Sequence, residues 1–146
     1  MTTIVAVSGG FDPLHIGHVR YLQKARALGD KLVVIMNNDN WLVLKKGYAF
    51  MPEQERKEIL EAFSFVDKVV LSTHEKDTTD ISICTDLASL HPDIFAKGGD
   101  RVADNIPEYA LCKELGIKMV FGVGYGGKVQ SSSELVERAR AVDPEL

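Results

Sequence analysis

Two histidines, His15 and His18, stand three residues apart where a short apolar run gives way to an amphipathic stretch. Residues three apart share one face of a helix, so both rings are predicted to face the same ligand. The free N–H groups and the positive dipole end at a helix start favour an anion there. Gly17 between the histidines lacks the Cβ that would keep a ligand from the backbone. The pattern predicts a phosphate site, against the alternative of one core and one surface histidine.

Three further polar segments carry groups that suit a phosphorylated ligand. Lys45-Lys46 offers two cations, and the alternative is a solvated basic pair. Lys97-Gly98-Gly99-Asp100 closes an apolar run, where glycines allow close approach by a ligand or simply form a turn. Ser131-Ser132-Ser133 precedes the last helical pattern and predicts either an N-cap or a cradle for phosphates.

Short apolar runs alternate with helical patterns along the whole chain. The pattern predicts strands over 4–7, 31–36, 66–71, 94–96 and 118–121, and helices over about 16–28, 52–63, 78–90, 106–115 and 134–142. Residues 37–40 are predicted as a polar turn and 41–50 as an exposed loop. Such alternation predicts an α/β fold, a doubly wound five-stranded parallel sheet with helices on both faces. Ligands of such folds bind beyond the carboxyl ends of the strands, where each of the polar segments above is placed.

Length and composition bound the function. The chain has 146 residues, 45% of them hydrophobic, which predicts a single domain over residues 1–146 with one sizeable core. A net charge of −4 argues against a nucleic-acid partner. No apolar run is long enough to span a bilayer and no secretory signal is evident, so a cytoplasmic location without membrane attachment is expected. Cys84 and Cys112 lack metal spacing and are expected to be reduced thiols.

The ten residues Gly9-Gly10-Phe11-Asp12-Pro13-Leu14-His15-Ile16-Gly17-His18 resemble the signature of the cytidylyltransferase-like nucleotidyltransferases. The resemblance runs from about residue 4 to residue 138 and implies a Rossmann-like sheet. It implies an enzyme that transfers an NMP from an NTP to a small phosphorylated acceptor and releases pyrophosphate. No dedicated metal site is expected, because Mg²⁺ would be held mainly by the triphosphate and water. Relatives are usually dimers, so a homodimer with a contact through residues 41–50 is expected.

The resemblance assigns roles residue by residue. The catalytic set is His15, His18 and Lys45. The nucleotide-binding set is Gly9, Gly10, Phe11, Lys46, Lys97, Gly98, Gly99, Asp100, Ser131, Ser132 and Ser133. The acceptor-binding set is Asp12, Asp39, Trp41 and Arg56. Within it, Asp12 is also expected to stabilise the phosphate loop through backbone N–H groups. Arg56 either anchors the neighbouring loop or the ligand, or is an ordinary surface arginine, and Trp41 could equally pack a loop.

The branch of the family is less sharply indicated. Lys97-Gly98-Gly99-Asp100 resembles the heptose-1-phosphate adenylyltransferase branch, and Gly126 stands where cytidylyltransferases have arginine, although Lys128 could substitute. ATP and a sugar 1-phosphate are therefore favoured. The compact chain is equally similar to CTP-dependent glycerol-3-phosphate cytidylyltransferase, which stays an alternative.

Two other classes of protein fit part of this sequence. An aminoacyl-tRNA synthetase fragment shares His-x-Gly-His, but the chain is short and acidic and shows no Lys-Met-Ser-Lys-Ser segment. A nucleotide-binding regulatory module without turnover would be distinguished by the absence of pyrophosphate release with any acceptor. The redox dinucleotide fold is excluded because no Gly-x-Gly-x-x-Gly follows the first strand.

Overall fold

The computed structural model describes residues 2–98, 106–124 and 132–142, and within the last range the side chains of 133 and 140–142 are outside the description. The strands are β1 Ile4–Gly9, β2 Lys31–Met36, β3 Lys68–Leu71, β4 Ile94–Gly98 and β5 Lys118–Val123. The helices are α1 Ile16–Arg26, α2 Asp39–Lys46, α3 Glu53–Glu61, α4 Cys84–Leu90, α5 Glu108–Leu115 and α6 Ser132–Val142.

The five strands form one parallel sheet in the order β3-β2-β1-β4-β5. The chain moves outward from β1 through β2 to β3, then returns to the other side of β1 with β4. The strand order therefore reverses beside β1, and ligands of doubly wound sheets bind at such a point. This arrangement confirms the predicted fold class.

Each face of the sheet has its own apolar core. On one face, Leu22 of α1 and Leu60 of α3 are fully buried against β1 and β2 side chains such as Val7 and Val34. On the other face, Leu87 of α4 and Cys112 of α5 pack on Ile35 and Phe95, among others. Strands that are buried on both faces explain why their sequences are continuous apolar runs.

The predicted turn at 37–40 and loop at 41–50 were wrong over most of their length, because α2 lies there. The Asn38 side chain accepts a hydrogen bond from Trp41 N at 3.0 Å and caps the helix start. Gly47, with φ of 87°, ends the helix in the left-handed conformation. Leu42 between the two caps is fully buried. Both capping signals were present in the sequence, but the helix between them has only eight residues.

The predicted start of a helix at about residue 78 was also wrong. There the hydroxyl of Thr78 accepts from Asp80 N, and the carboxylate of Asp80 accepts from Ser82 N. These polar side chains stabilise local turns rather than a helix start. The helix begins only at Cys84.

Candidate active site

His15 and His18 meet at the start of α1, beyond the carboxyl end of β1. His15 is the N-cap residue, and its Nδ1 accepts a hydrogen bond from Gly17 N at 3.1 Å. The Nδ1 of His18 accepts from His15 N at 3.2 Å. The two rings stack with centroids 3.8 Å apart. The predicted pair on one helix face is therefore present.

These hydrogen bonds fix which ring nitrogens are available to a ligand. A neutral imidazole has one acceptor nitrogen and one N–H, and in both rings Nδ1 already serves as the acceptor. The proton therefore lies on Nε2 of each ring, which can donate to an oxyanion. Burial, followed by the nearby His15 and Lys46 charges, lowers the pKa of His18 to about 3, and burial lowers the pKa of His15 as well. Both rings are thus neutral donors near pH 7.

The structure gives a more specific reason for glycine at position 17 than close approach by a ligand. A Cβ at this position would lie 2.9 Å from Cε1 of His15 and 3.0 Å from its Nδ1. Any side chain would displace the ring that caps the helix. The glycine of the His-x-Gly-His pattern is therefore required by the histidine that precedes it.

The phosphate loop, residues 10–15, is held to the segment after α2 by Asp12. Its carboxylate is 2% exposed and accepts from Phe50 N and Met51 N, each at 2.6 Å. Lys46 Nζ donates to the Asp12 carbonyl at 3.0 Å. Asp12 thus contacts backbone N–H groups as expected, but of a neighbouring segment.

Arg56, in α3, also holds the loop of residues 10–15 in place. The residue is fully buried, and its guanidinium donates to the carbonyls of Met51, Gly10 and Asn37 and to Asp39 Oδ1 over 2.6–2.9 Å. This corrects two of the sequence alternatives, a surface arginine and a direct acceptor contact, because no part of Arg56 is exposed. Its role is to position the loop. The Asp39 carboxylate is similarly occupied, since it accepts from Arg56 and from Glu53 N.

The two lysines of α2 have different positions. Lys45 lines a cavity of about 360 Å³ beyond the ends of β1 and β4, whereas Lys46 lies near His18 and contacts the phosphate loop. Gly9, Gly10, Trp41, Lys97 and Gly98 also line this cavity. The structure therefore brings both lysines to the site, Lys45 to the cavity and Lys46 to the loop of residues 10–15.

Phe11 and Trp41 shape the walls around the site. Phe11 is buried and packs edge-on against His18, with ring centroids 4.9 Å apart. Trp41 Nε1 donates to the Ile81 carbonyl at 2.9 Å, which fixes the orientation of its indole. A Cβ on Gly10 would lie 3.3 Å from the Trp41 ring, so the loop packs closely on α2.

The serine segment also reaches the phosphate loop. Ser132 is the first residue of α6, and its hydroxyl donates to the Pro13 carbonyl at 2.7 Å. Ser131, Gly99, Asp100, Gly126 and Lys128 lie outside the described residues, as does the side chain of Ser133. Their predicted contacts with the nucleotide stay predictions.

Several residues that line the cavity were not singled out from the sequence. Tyr21, Asn37 and Glu108 are among them. The Tyr21 hydroxyl donates to the Ala96 carbonyl at 2.5 Å, and burial raises its pKa well above the ordinary value. Asn37 directly follows β2, a position where polar residues face the ligand edge, and this was the available signal. Glu108 resembles any acidic residue in the first turn of a helix.

Comparison with known proteins places this arrangement in a family. The model of the cytidylyltransferase-like family matches residues 6–138. The chain is 40% identical to the bifunctional protein HldE of Syntrophotalea carbinolica, over 93% of this chain and 26% of that protein. It is also 40% identical to the bifunctional protein HldE of Streptomyces coelicolor, over 94% of this chain and 28% of that protein. The chain thus spans about a quarter of the length of these curated relatives.

A solved structure agrees with the sequence relatives. The lipopolysaccharide core biosynthesis protein of Thermoplasma volcanium superimposes with a TM-score of 0.66 and 27% identity, over 83% of this chain and 96% of that chain. A putative nicotinate-nucleotide adenylyltransferase of Vibrio parahaemolyticus, at 13% identity and a TM-score of 0.59, shares the fold over 99% of this chain and 89% of that one. With the histidine pair, the phosphate loop and the doubly wound sheet in place, this chain belongs to the cytidylyltransferase-like nucleotidyltransferase family.

Proposed function

We propose that this chain transfers an NMP, preferably AMP from ATP, to a sugar 1-phosphate and releases pyrophosphate. The observation that carries the proposal is the pair of neutral histidines at a helix start, whose Nε2–H groups have no hydrogen-bond partner among the described residues. A phosphate oxygen of the acceptor attacks the α-phosphorus, and the bond from that phosphorus to the bridging oxygen breaks. No general base is required, because the attacking phosphate is already ionised.

The chain contributes charge stabilisation and alignment to this reaction. His15 and His18 donate to non-bridging oxygens as negative charge accumulates on them. Because burial lowers the pKa of both rings, they are neutral near pH 7 and act as hydrogen-bond donors rather than as acids. Lys45 and Lys46 add positive charge from α2. Holding both substrates in line accounts for most of the remaining catalysis.

Magnesium is proposed to enter with the triphosphate. Among the described residues, no group of three or more His, Cys, Asp or Glu side chains is placed to hold a metal ion. The carboxylates of Asp12 and Asp39 are engaged by backbone N–H groups and by Arg56. Magnesium bound to phosphate oxygens and water would neutralise charge on the leaving pyrophosphate.

The choice of ATP and a sugar 1-phosphate rests on resemblance. Lys97-Gly98-Gly99-Asp100 and Gly126 favour the heptose-1-phosphate adenylyltransferase branch over the CTP-dependent branch. The 40% identity to bifunctional HldE proteins over nearly the whole chain supports the same choice.

The test is a survey of four nucleoside triphosphates against sugar 1-phosphates, glycerol 3-phosphate and phosphocholine, measured by pyrophosphate release. We expect kcat/KM with ATP to exceed that with CTP at least about tenfold, the scale of one buried polar partner left unpaired. Release must fall about 10²-fold or more in His18→Ala, which controls for contaminating enzymes. Preference for CTP and glycerol 3-phosphate would identify the alternative branch. No release with any pair would favour the regulatory module.

We also propose a cytoplasmic homodimer. A cytoplasmic location would suit an enzyme that consumes nucleoside triphosphates. Within the described part of the chain, no helix is long and apolar enough to cross a membrane. Four exposed apolar side chains lie in α2 or just after it and would suit a subunit contact: Val43, Leu44, Tyr48 and Phe50.

A further inference from the structure

The cavity beside the phosphate loop contains polar groups that the transfer chemistry does not use. It lies beyond the end of β1, between the end of β2 and the start of α5. Asn37 borders it from the β2 side and Glu108 from the α5 side, with Trp41 and Ile83 in the wall. Neither Asn37 nor Glu108 contacts the histidine pair in the hydrogen bonds of the site.

Asn37 has a buried polar atom whose partner is missing. The residue is 4% exposed, and its backbone is engaged, since its N–H donates to Gly9 O and its carbonyl accepts from Arg56. Its side-chain Oδ1 has no hydrogen-bond partner within the described part of the chain. Buried side-chain polar atoms are rarely left unpaired in folded proteins. A side-chain amide that borders a cavity in this state indicates a ligand that supplies the partner.

Glu108 offers a second group on the opposite wall. It is 6% exposed, and its Oε1 accepts from Ile83 N at 3.1 Å. A carboxylate has several lone-pair sites, so this single bond leaves capacity for donors from a ligand in the cavity. A carboxylate this buried is uncommon unless it has a function or a full set of partners.

We propose that Asn37 and Glu108 bind hydroxyl groups of the acceptor sugar and thereby determine acceptor specificity; this inference rests on the proposed function. A hydroxyl both donates and accepts, so it satisfies an amide and a carboxylate alike. The two side chains reach the cavity from different elements, after β2 and at the start of α5, which suits a ring with hydroxyls pointing in several directions. Trp41, fixed by its bond to Ile81, supplies an apolar wall for the ring, and Lys45 supplies a cation for its phosphate.

The first variant is Glu108→Gln, with Glu114→Gln as its control on the exposed side of the same helix. Gln keeps an oxygen for Ile83 N, so the fold is retained, but it removes the charge and replaces one acceptor oxygen by a donor. We expect the KM for the sugar 1-phosphate to rise about tenfold to a hundredfold, while the KM for ATP changes less than twofold. The control should change neither. An increase confined to the KM for ATP would overturn the inference, because the cavity would then hold the nucleoside.

The second variant, Asn37→Leu, separates a binding role from a structural one. Leucine has a similar size and removes the unpaired oxygen, so the melting temperature should stay the same or rise. The KM for the sugar 1-phosphate should nevertheless rise about tenfold. A fall in melting temperature with an unchanged acceptor KM would show that Asn37 serves only the fold.

A binding measurement makes the inference independent of turnover. Glucose, mannose, galactose and heptose 1-phosphates are tested for their effect on the melting temperature of the wild type, without nucleotide. At least one should raise it, and the increase should be lost in Glu108→Gln and kept in Glu114→Gln. If that holds but no pyrophosphate is released, the proposed function fails and the sugar-phosphate site stands. If pyrophosphate is released but no sugar phosphate raises the melting temperature, this inference fails and the proposed function stands.

Discussion

Replacement of Arg56 by methionine should test whether this residue holds the segments of the active site together. The arginine is fully buried and joins the end of β1 at Gly10, the end of β2 at Asn37, the segment before α3 at Met51, and α2 at Asp39. Methionine has a comparable length and no donor. The substitution therefore leaves the carbonyls and the carboxylate in place and removes only their common partner.

The expected cost follows from those partners. A buried acceptor left unsatisfied costs about 1–3 kcal/mol, and breaking a buried ion pair costs about 3–5 kcal/mol. The Asp39 side chain is 36% exposed, so water can reach it once Arg56 is gone. Because water can solvate the Asp39 carboxylate, adding the cost of every lost partner would overestimate the effect. We expect a loss of about 3–5 kcal/mol in the free energy of unfolding. That is a large part of the roughly 5–15 kcal/mol of a typical domain.

The assay is urea unfolding at pH 7.5, with Lys57→Met as the matched control. Lys57 is the next residue on α3, and its exposed pair with Glu61, 3.7 Å apart, should contribute less than about 0.5 kcal/mol. Arg56→Lys should lie between the two, because one ammonium cannot reach acceptors on four segments. Where Arg56→Met is still folded, kcat/KM should fall at least about tenfold, since Gly10 and Asn37 lose their shared anchor. A loss below about 1 kcal/mol, or one equal to that of Lys57→Met, would refute this account of Arg56.

Four further predictions concern the site and its assembly. His18→Ala should lower kcat about 10²-fold or more and leave the fold intact, so wild-type turnover would remove His18 from the mechanism. Because its pKa is about 3, the His18 ring should not titrate between pH 5 and 8 in NMR spectra. Lys46→Gln should raise that pKa, because it removes a nearby positive charge. A midpoint near 6.5 in the wild type would contradict the argument that burial lowers the pKa. Asp12→Asn places an amide N–H₂ against a backbone N–H at residues 50–51 and should cost about 1–3 kcal/mol in urea, whereas an unchanged midpoint would show that the loop is held otherwise. Light scattering at micromolar concentration should give the mass of a dimer, and a monomer mass would count against the proposed contact.

The lowered pKa of His18 also makes stability depend on pH. In the unfolded chain a histidine binds its proton below about pH 6.5, whereas folded His18 stays neutral down to about pH 3. The unfolded state therefore binds more protons in this window, and the free energy of unfolding falls as the pH is lowered, by at most about 1.4 kcal/mol per pH unit for this group. Above about pH 6.5 this histidine is neutral in both states, so the free energy of unfolding no longer depends on its protonation.

The parts of the site that could be predicted from the sequence are those set by local patterns. His15, Gly17 and His18 lie in one turn of chain, and their spacing alone determines that both rings meet at the helix start. Continuous apolar strands separated by helical patterns were sufficient for the sheet and its two covered faces. The family resemblance then placed Lys45 and the serine segment at the same edge.

The contacts that could not be predicted join residues distant in sequence. Nothing near Arg56 indicates that its guanidinium reaches Gly10, 46 positions away along the chain. In the sequence, Glu108 is an ordinary carboxylate in the first turn of a helix, and only the fold shows that it borders a cavity. Helix α2 was missed for a different reason: a short helix has a weak periodic signal, and its stability comes from its caps and from the burial of Leu42.

The arrangement explains why neutral histidines would suit the proposed phosphate site. A charged pair stacked at 3.8 Å would repel, and both rings would then need their Nδ1 protons, which would break the two bonds that cap α1. Kept neutral, each ring uses Nδ1 to hold the loop and reserves Nε2–H for the ligand. Lys45 and Lys46 supply positive charge from α2. The site therefore combines two kinds of group: histidine donors whose direction is fixed by the backbone, and lysine cations on the neighbouring helix α2. Asp12 and Arg56 bring them together, because their hydrogen bonds hold α2 against the loop of residues 10–15.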